Sequence, residues 1–179
     1  MSFNYSNCTE EELWEFVSSH LSKGGIDTVL VGGGVVCVYT KGAYRSGDID
    51  LVVYSGFFKN KDELMNDIGF VRVGKNFKHP DCIYTVEFPS GPLGIGSDND
   101  IKPDEREVNG RSIKILSPTD CVKDRLASYI YYDAFDCLDQ AVLVSKVCGV
   151  NLKKIEDWCK KEKNGDKAWL DYLEKFKQN

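Results

Sequence analysis

Residues 29–53 read VLVGGGVVCVYTKGAYRSGDIDLVV, and this stretch decides both the fold and the function that the sequence predicts. It contains two short apolar runs, three glycines inside the first run, and two aspartates one residue apart at the start of the second. Because successive side chains of a strand point to opposite faces, we expect Asp48 and Asp50 to project side by side. Ile49 and Leu51 then turn toward the core.

Two carboxylates held this close repel each other unless a cation neutralises them. Mg²⁺ suits the pair because it prefers oxygen ligands and keeps positions open for water and substrate phosphates. The glycines at 32–34 let the backbone approach a phosphate without a side chain in the way. Together the two features predict a metal-assisted site for a phosphorylated substrate.

The order of these residues, two glycines followed by Arg-Ser-x-Asp-x-Asp and an apolar strand, resembles the nucleotidyltransferase superfamily, the polymerase-β-like group. The resemblance covers roughly residues 10–145 and is strongest over 29–53. It implies an α+β fold, in which a mixed β-sheet with flanking helices forms the nucleotidyltransferase core and carries a C-terminal helical layer. It also implies a nucleotide-binding glycine motif at Gly32 and Gly33, a nucleotide-binding Arg-Ser step at Arg45 and Ser46, and catalytic, metal-binding carboxylates at Asp48 and Asp50.

The resemblance further implies a third carboxylate on a later strand of the same sheet, and Glu87 is the best candidate. It lies in the alternating run CIYTVEF, residues 82–88, where Ile83, Thr85 and Glu87 share one face. On this interpretation Glu87 is a catalytic and metal-binding residue. The alternative is an exposed acid on an edge strand, which would give the same pattern.

A second point of resemblance is the segment SPTD, residues 117–120, followed by KDRL, residues 123–126. In small bacterial nucleotidyltransferases of the toxin-associated and abortive-infection type, a similar start precedes a helix whose basic residue faces the triphosphate. Arg125 occupies the matching position and Lys123 lies one face away, so both are predicted to bind nucleotide. The alternative is a helical base that is paired with a neighbouring aspartate.

Length and composition fit a small cytoplasmic enzyme. The chain has 179 residues, and 42% of them are hydrophobic. Its net charge of −5 argues against a large surface that binds nucleic acid independently of sequence. No apolar run approaches the roughly 18 residues of a membrane span, and the polar, acidic N-terminus does not resemble a secretory signal. Seven cysteines without a Cys-x-x-Cys pair, beside two histidines, predict reduced thiols rather than disulfides or a zinc site. The sequence therefore predicts a cytoplasmic protein with no membrane partner.

Local signals divide the chain into a core, residues 1–116, and a helical region, residues 117–179, packed on it. Thr9 and Glu12 fit a capping box at the start of the first helix, and Asn109-Gly110 is a hairpin signal. The segment 89–104 is an irregular loop, long enough to face a substrate or to be a plain surface excursion. We predict helices over 9–22, 62–68, 117–131, 137–147, 152–163 and 168–177, strands over 28–31, 48–54, 70–73, 83–88, 106–108 and 111–115, and a loop over 75–80. The family resemblance implies a further helix over 34–40, where the β-branched residues alone would favour a strand.

The function that the family resemblance implies is metal-dependent nucleotidyl transfer. The enzyme would move a nucleoside monophosphate from a nucleoside triphosphate to an acceptor that is RNA, a protein or a small molecule, with Mg²⁺ or Mn²⁺ as cofactor. Two alternatives keep the same fold without turnover, a nucleotide-binding module and a toxin–antitoxin interaction module. A third is a structural protein whose acidic pair only caps a strand, and this interpretation predicts no pocket beside the glycines.

Overall fold

The structure, a computed structural model, describes residues 3–56 and 60–178, so the outer limits of the two predicted regions, residues 1 and 179, lie outside it. Within these ranges a mixed seven-stranded β-sheet is combined with seven α-helices. The helices are α1 (Glu10–Lys23), α2 (Gly32–Tyr39), α3 (Lys61–Asp67), α4 (Pro118–Tyr132), α5 (Asp136–Val147), α6 (Leu152–Cys159) and α7 (Gly165–Gln178). The strands are β1 (Ile26–Val31), β2 (Asp48–Gly56), β3 (Val71–Val73), β4 (Asn76–Lys78), β5 (Thr85–Glu87), β6 (Asp104–Val108) and β7 (Arg111–Ile115).

The strand order across the sheet is β3-β4-β5-β2-β1-β7-β6. Strand β1 pairs antiparallel with β2 and parallel with β7, and β2 pairs parallel with β5. Two antiparallel hairpins, β3–β4 and β6–β7, complete the opposite sides of the sheet. The predicted α+β architecture with a mixed sheet is confirmed, and β2, which carries the two aspartates, lies at its centre.

Helix α1 and strand β2 form where the local sequence predicts them. The Thr9 side chain accepts a hydrogen bond from the N–H of Glu12, and the Glu12 carboxylate accepts one from the N–H of Thr9, which completes the predicted capping box. In β2, Ile49 and Leu51 are fully buried, whereas Asp48 and Asp50 are only half-buried. The alternation predicted for this strand is therefore confirmed.

Helix α2 begins at the glycines themselves, in the region where the family resemblance implies a helix. It begins at Gly32, two residues earlier than predicted, and runs through three valines, a residue type that favours strands. These valines are buried, and the helix packs against β2, α4 and α5, so tertiary packing outweighs their local preference. As a result, the N-terminus of α2 lies beside the aspartates of β2.

Strand β4 is the main difference from the predicted elements. It lies within the predicted loop over 75–80, and a two-residue turn that begins at Gly74 joins it to β3. Gly74 adopts a φ of +65°, which glycine tolerates without steric strain. With three residues and one buried side chain, Phe77, this strand is too short to show alternation in the sequence. Strand β4 pairs with β5 and so extends the sheet beyond the two central strands.

The C-terminal helices α4–α7 pack on one another and on α2. Helix α4 contacts α5, α6 and α7, and both α4 and α5 contact α2. Ser117 caps α4 and Pro118 occupies its first turn, as the SPTD segment predicts. In the part of the chain that the structure describes, no helix combines the length and the apolar surface needed to cross a bilayer.

Candidate functional site

The three predicted metal-binding carboxylates lie on the neighbouring strands β2 and β5. These strands are parallel, with Asp50 directly opposite Glu87 and Asp48 opposite Thr85. Directly opposed residues of neighbouring strands carry their side chains on the same face of a sheet. Asp48, Asp50 and Glu87 therefore share one face.

This arrangement strongly raises the pKa of Asp50. Burial, followed by the negative charges of Asp48 and Glu87, raises the pKa of Asp50 to about 7, although the charge of Arg125 opposes the shift. The raised pKa shows that neither the solvent that reaches it nor the neighbouring charges stabilise the ionised form of Asp50 as well as bulk water does. The group fits a divalent metal ion, whose charge would offset the repulsion and whose preferred ligands are carboxylate oxygens.

Glu87 is engaged by a lysine. Its carboxylate lies 3.1 Å from the ammonium group of Lys75, whose side chain is 83% exposed. Across residues 3–56 and 60–178, no three acidic, histidine or cysteine side chains are gathered closely enough to form a ready metal centre. Asp48 and Asp50 could hold a cation between them. Glu87 could become a third ligand only if its ion pair with Lys75 were replaced by a bond to that cation.

Glu10 fixes the loop that leads into β2. The N–H groups of Ser46 and Gly47 donate to its two carboxylate oxygens at 3.2 and 2.8 Å, and the Glu10 side chain is buried. The hydroxyl of Ser46 in turn donates to Asp48 at 2.7 Å, which orients that carboxylate. Sequence reasoning misses Glu10, because an acid in the first turn is common at any helix N-terminus.

The glycines allow the N-terminus of α2 to lie against the acidic residues. A Cβ on Gly32, whose φ is +71°, would lie 2.5 Å from a carboxylate oxygen of Asp50. A Cβ on Gly33 would lie 2.4 Å from the hydroxyl of Ser46. Among the described residues, no side chain caps this helix, so its first N–H groups remain available to an anion.

A cleft of about 320 Å³ opens beside Gly32. Its volume is typical of a site for a small molecule. Helix α4 contributes one wall and the loop after β5 contributes another. The lining residues are Val31, Gly32, Asp50, Val52, Pro89, Ser90, Pro92, Leu93, Gly94, Ile95, Leu116, Asp124, Arg125 and Tyr132. A structural protein, for which no pocket is expected beside the glycines, does not account for this cleft.

Arg125 lines the cleft together with its ion-pair partner Asp124, so the pairing of this helical base with a neighbouring aspartate is present. Its guanidinium donates to Asp124 at 2.6 and 3.1 Å and to the amide oxygen of Gln140 at 3.3 Å. Burial alone would lower the pKa of Arg125, but the charge and hydrogen bond of Asp124, together with Cys137 and Cys121, raise it above its ordinary value, so the side chain stays charged. A cation already held in one orientation can offset phosphate charge without being ordered first.

The structure does not bring the other two predicted basic residues, Lys123 and Arg45, into the lining of this cleft. Lys123 forms ion pairs with Asp98 and Asp120, each at 2.7 Å, and lines a separate cavity of about 630 Å³. Residues two apart on a helix point in nearly opposite directions, so Lys123 and Arg125 face different cavities. Arg45 is exposed on the loop before β2 and finds no hydrogen-bond or ion-pair partner among the residues described.

The loop between β5 and β6 is held in place by the C-terminal helices. Trp158 of α6 donates its indole N–H to the carbonyl of Ile95 at 3.0 Å. Glu162, which follows α6, accepts from the N–H of Ser97 at 2.8 Å and from the hydroxyl of Tyr131 in α4. The loop therefore lines the cleft instead of extending freely over the surface, and the helical region both builds one wall and anchors the other.

Comparison with known proteins identifies this architecture. No protein-family model matches the chain, and no curated protein matches it. The crystal structure of an antigenic nucleotidyltransferase-like protein from Paracoccidioides brasiliensis is similar, with a TM-score of 0.55 and 17% sequence identity, covering 78% of this chain and 76% of that one. The solution structure of the antibiotic-resistance factor ANT(2'')-Ia has a TM-score of 0.49 and 11% identity, covering 76% of this chain and 82% of that one. The first of these likenesses establishes the fold, which is nucleotidyltransferase-like.

Proposed function

We propose that the protein is a metal-dependent nucleotidyltransferase that moves a nucleoside monophosphate from a nucleoside triphosphate to an acceptor. The observation that carries the proposal is the presence in one cleft of the perturbed carboxylate of Asp50, the N-terminus of α2 at Gly32 and the fixed guanidinium of Arg125. Each group suits one part of a metal-bound triphosphate. Carboxylates take the cation, and backbone amides and a guanidinium take phosphate oxygens.

The carboxylates of β2 would hold the cofactor. Asp48 and Asp50 are the proposed ligands of Mg²⁺ or Mn²⁺, with Glu87 as the third once it leaves Lys75. A cation bound there neutralises the carboxylates and withdraws charge from phosphoryl oxygens. Ser46 supports the site by orienting Asp48 through its hydroxyl.

The proposed reaction is an in-line displacement at the α-phosphorus. An oxygen of the acceptor forms a bond to that phosphorus, the bond from the phosphorus to the oxygen that bridges to the β-phosphate breaks, and pyrophosphate leaves. The proton of the acceptor passes to the carboxylate of Glu87. Arg125 and the first N–H groups of α2 offset the charge that develops on the departing pyrophosphate.

A second candidate is a nucleotide-binding or toxin–antitoxin interaction module of the same fold, without turnover. The ion pair between Lys75 and Glu87 favours it, because it occupies the carboxylate that would accept the proton. The exposure of Lys75 favours turnover instead, since its ammonium group can move into solvent and leave the Glu87 carboxylate to a divalent cation.

Labelling of cell fractions tests the proposal. The protein is incubated with each common nucleoside triphosphate, labelled in the nucleoside, with Mg²⁺ or Mn²⁺ and with RNA, protein or small-molecule fractions of a cell extract. We expect one fraction to become labelled, with release of an equal amount of pyrophosphate, and Asp50→Asn to label none of them while remaining folded. Tight nucleotide binding by the parent protein without label or pyrophosphate would establish the binding module instead.

A further inference from the structure

Three large aromatic side chains gather around the C-terminal end of α4. Tyr131 is 45% exposed, Tyr132 is 80% exposed and Phe135 is 70% exposed. Such rings bury much apolar area when they find a partner, and a group of them outside the core marks a surface that binds something. Tyr132 differs from the other two in its contacts with the rest of the fold.

Tyr131 and Phe135 are held by other side chains of the fold. The hydroxyl of Tyr131 donates to Glu162, and the ring of Phe135 meets the ring of Tyr129 edge to face, with centroids 6.0 Å apart. Tyr132 makes no hydrogen bond and no ring contact with any residue in 3–56 or 60–178. Contacts within the described chain therefore do not explain why an aromatic ring stands at this position.

The position of Tyr132 relative to the candidate site is specific. Tyr132 lines the same cleft as Asp50 and Arg125. It follows Arg125 by seven residues, or two helical turns, so the two side chains lie on one face of α4, about 10 Å apart along the helix axis. Arg125 marks the charged end of this face, and Tyr132 marks its aromatic end.

The wall that the loop after β5 contributes to the cleft is also apolar. It includes Pro89, Pro92 and Leu93. The cleft therefore combines carboxylate, amide and guanidinium groups in one part with rings and aliphatic carbon in another. A ligand that matches this distribution has a polyanionic end and a flat, weakly polar ring at the other end.

We propose that the base of the donor nucleoside triphosphate stacks on Tyr132, an inference that rests on the proposed function. Stacking on an aromatic ring requires no hydrogen bond to the edge of a base, so it accepts every base. Among the described loop residues that line the cleft, Ser90 alone has a side chain with a hydrogen-bonding group. The donor site therefore selects for triphosphate and for the presence of a base, with little discrimination among bases.

Calorimetric titration of the protein in Mg²⁺ tests this role. The ligands are ATP, GTP, CTP, UTP and inorganic triphosphate, which carries the phosphates without a base. Tyr132→Ala should weaken the binding of each nucleoside triphosphate about tenfold or more, because one stacking contact is lost, and should leave the affinity for inorganic triphosphate unchanged. Tyr132→Phe should bind as the parent does, because it keeps the ring.

Phe135→Ala is the matched control. This ring lies near the same end of α4 and is similarly exposed, but it does not line the cleft, so its loss should leave nucleotide affinity unchanged. Because both aromatic side chains are largely exposed, neither alanine variant should lose its fold, and the melting temperature of each variant verifies this point.

The contrary outcomes are distinguishable. If the parent binds nucleoside triphosphates and Tyr132→Ala binds them equally tightly, stacking on Tyr132 is wrong and the proposed function stands. Equal losses in the alanine and phenylalanine variants would assign the effect to the hydroxyl and overturn stacking. If the parent binds neither nucleoside triphosphates nor inorganic triphosphate, the proposed function fails, and the role of Tyr132 fails with it.

Discussion

Burial and neighbouring negative charges together raise the pKa of Asp50. With a pKa of about 7, its carboxyl group is partly protonated near neutral pH when no metal is bound. A bound cation favours the ionised form, so metal binding releases a proton and strengthens as the pH rises through about 7. Asp48 shapes this behaviour through its charge, and Ser46 fixes the orientation of the Asp48 carboxylate.

Asp48→Asn should abolish nucleotide transfer and leave the fold intact. Asparagine removes a charge that raises the pKa of Asp50, but it keeps an oxygen that can accept from Ser46. The melting temperature without metal should therefore hold or rise slightly. Scanning calorimetry and the transfer assay on the same samples measure both effects. Unfolding of the variant would show that the Asp48 carboxylate is structural.

Gly33→Ala should displace the hydroxyl of Ser46, which occupies the space of the new methyl group. Losing the hydrogen bond from Ser46 to Asp48 should weaken nucleotide binding by about 1.4 kcal/mol, which is tenfold in affinity. Ser46→Ala should cause a comparable loss, and the double variant should lose little more, because both changes break the same contact. Titration of nucleotide in Mg²⁺ into all three variants measures this cycle, and additive losses would contradict it.

At the scale of elements, local signals determine most of the helices and strands. The capping box at Thr9, the hairpin at Asn109-Gly110 and the alternation in β2 each depend on residues close together in the sequence, and each is confirmed. Helix α2 is different, because its valines favour a strand and only the family resemblance predicts a helix there.

The parts of the site that the sequence does not reveal depend on distant contacts. Glu10 reaches the N–H of Ser46 across 36 positions, and Glu162 reaches that of Ser97 across 65. No local pattern encodes such pairs, since neither partner is unusual within its own element. The sequence predicts that Lys123 binds nucleotide, but this residue does not line the cleft. It precedes Arg125, which does, by two residues, and helical geometry points the two side chains in nearly opposite directions.

Glu162→Gln should destabilise the protein at neutral pH. Burial alone would raise the pKa of Glu162, but hydrogen bonds from Ser97 and Tyr131 outweigh it and hold the pKa below its ordinary value of 4.5. Because the folded-state pKa is depressed, the stabilisation is fully present above pH 4.5 and is lost as the pH falls through the folded-state value. The difference in free energy of unfolding between parent and variant should therefore shrink on acidification below pH 4.5.

Urea denaturation on both sides of pH 4.5 measures this difference. Glu156→Gln is the control, because Glu156 lies on α6 and pairs with the exposed side chains of Lys153 and Lys160. Surface ion pairs of this kind contribute little, so the control should match the parent at either pH. A difference between parent and Glu162→Gln that stays constant with pH would contradict the assignment.

At the scale of the whole molecule, the cleft lies where two parts of the chain meet. The sheet and α2 provide the carboxylate of Asp50 and the backbone at Gly32, and the helical region from Pro118 onward provides Asp124, Arg125 and Tyr132 and anchors the loop wall. Neither part contains the complete site, so the nucleotide complex should form only with the folded chain. With a net charge of −5, the protein as a whole repels a triphosphate, and the cation and the local groups must supply the attraction.

Mg²⁺ together with a nucleoside triphosphate should raise the melting temperature of the parent protein. A ligand that binds only the folded state at a hundred times its Kd adds about 2.7 kcal/mol to the free energy of unfolding. A chelator should reverse the shift, and Asp50→Asn should show little of it, because the carboxylate that takes the cation is lost. A shift of equal size in the parent with and without chelator would contradict a metal-dependent nucleotide site.

The position of the transferred label tests nucleotidyl transfer most directly. The protein is incubated with Mg²⁺, the accepting fraction and a nucleoside triphosphate that carries radioactive phosphorus on either the α- or the γ-phosphate. We expect the α-label to appear in the acceptor and the γ-label in pyrophosphate, with both signals absent from Asp50→Asn. Appearance of the γ-label in the acceptor would contradict the proposed function, because it would show transfer of a phosphoryl group instead of a nucleoside monophosphate.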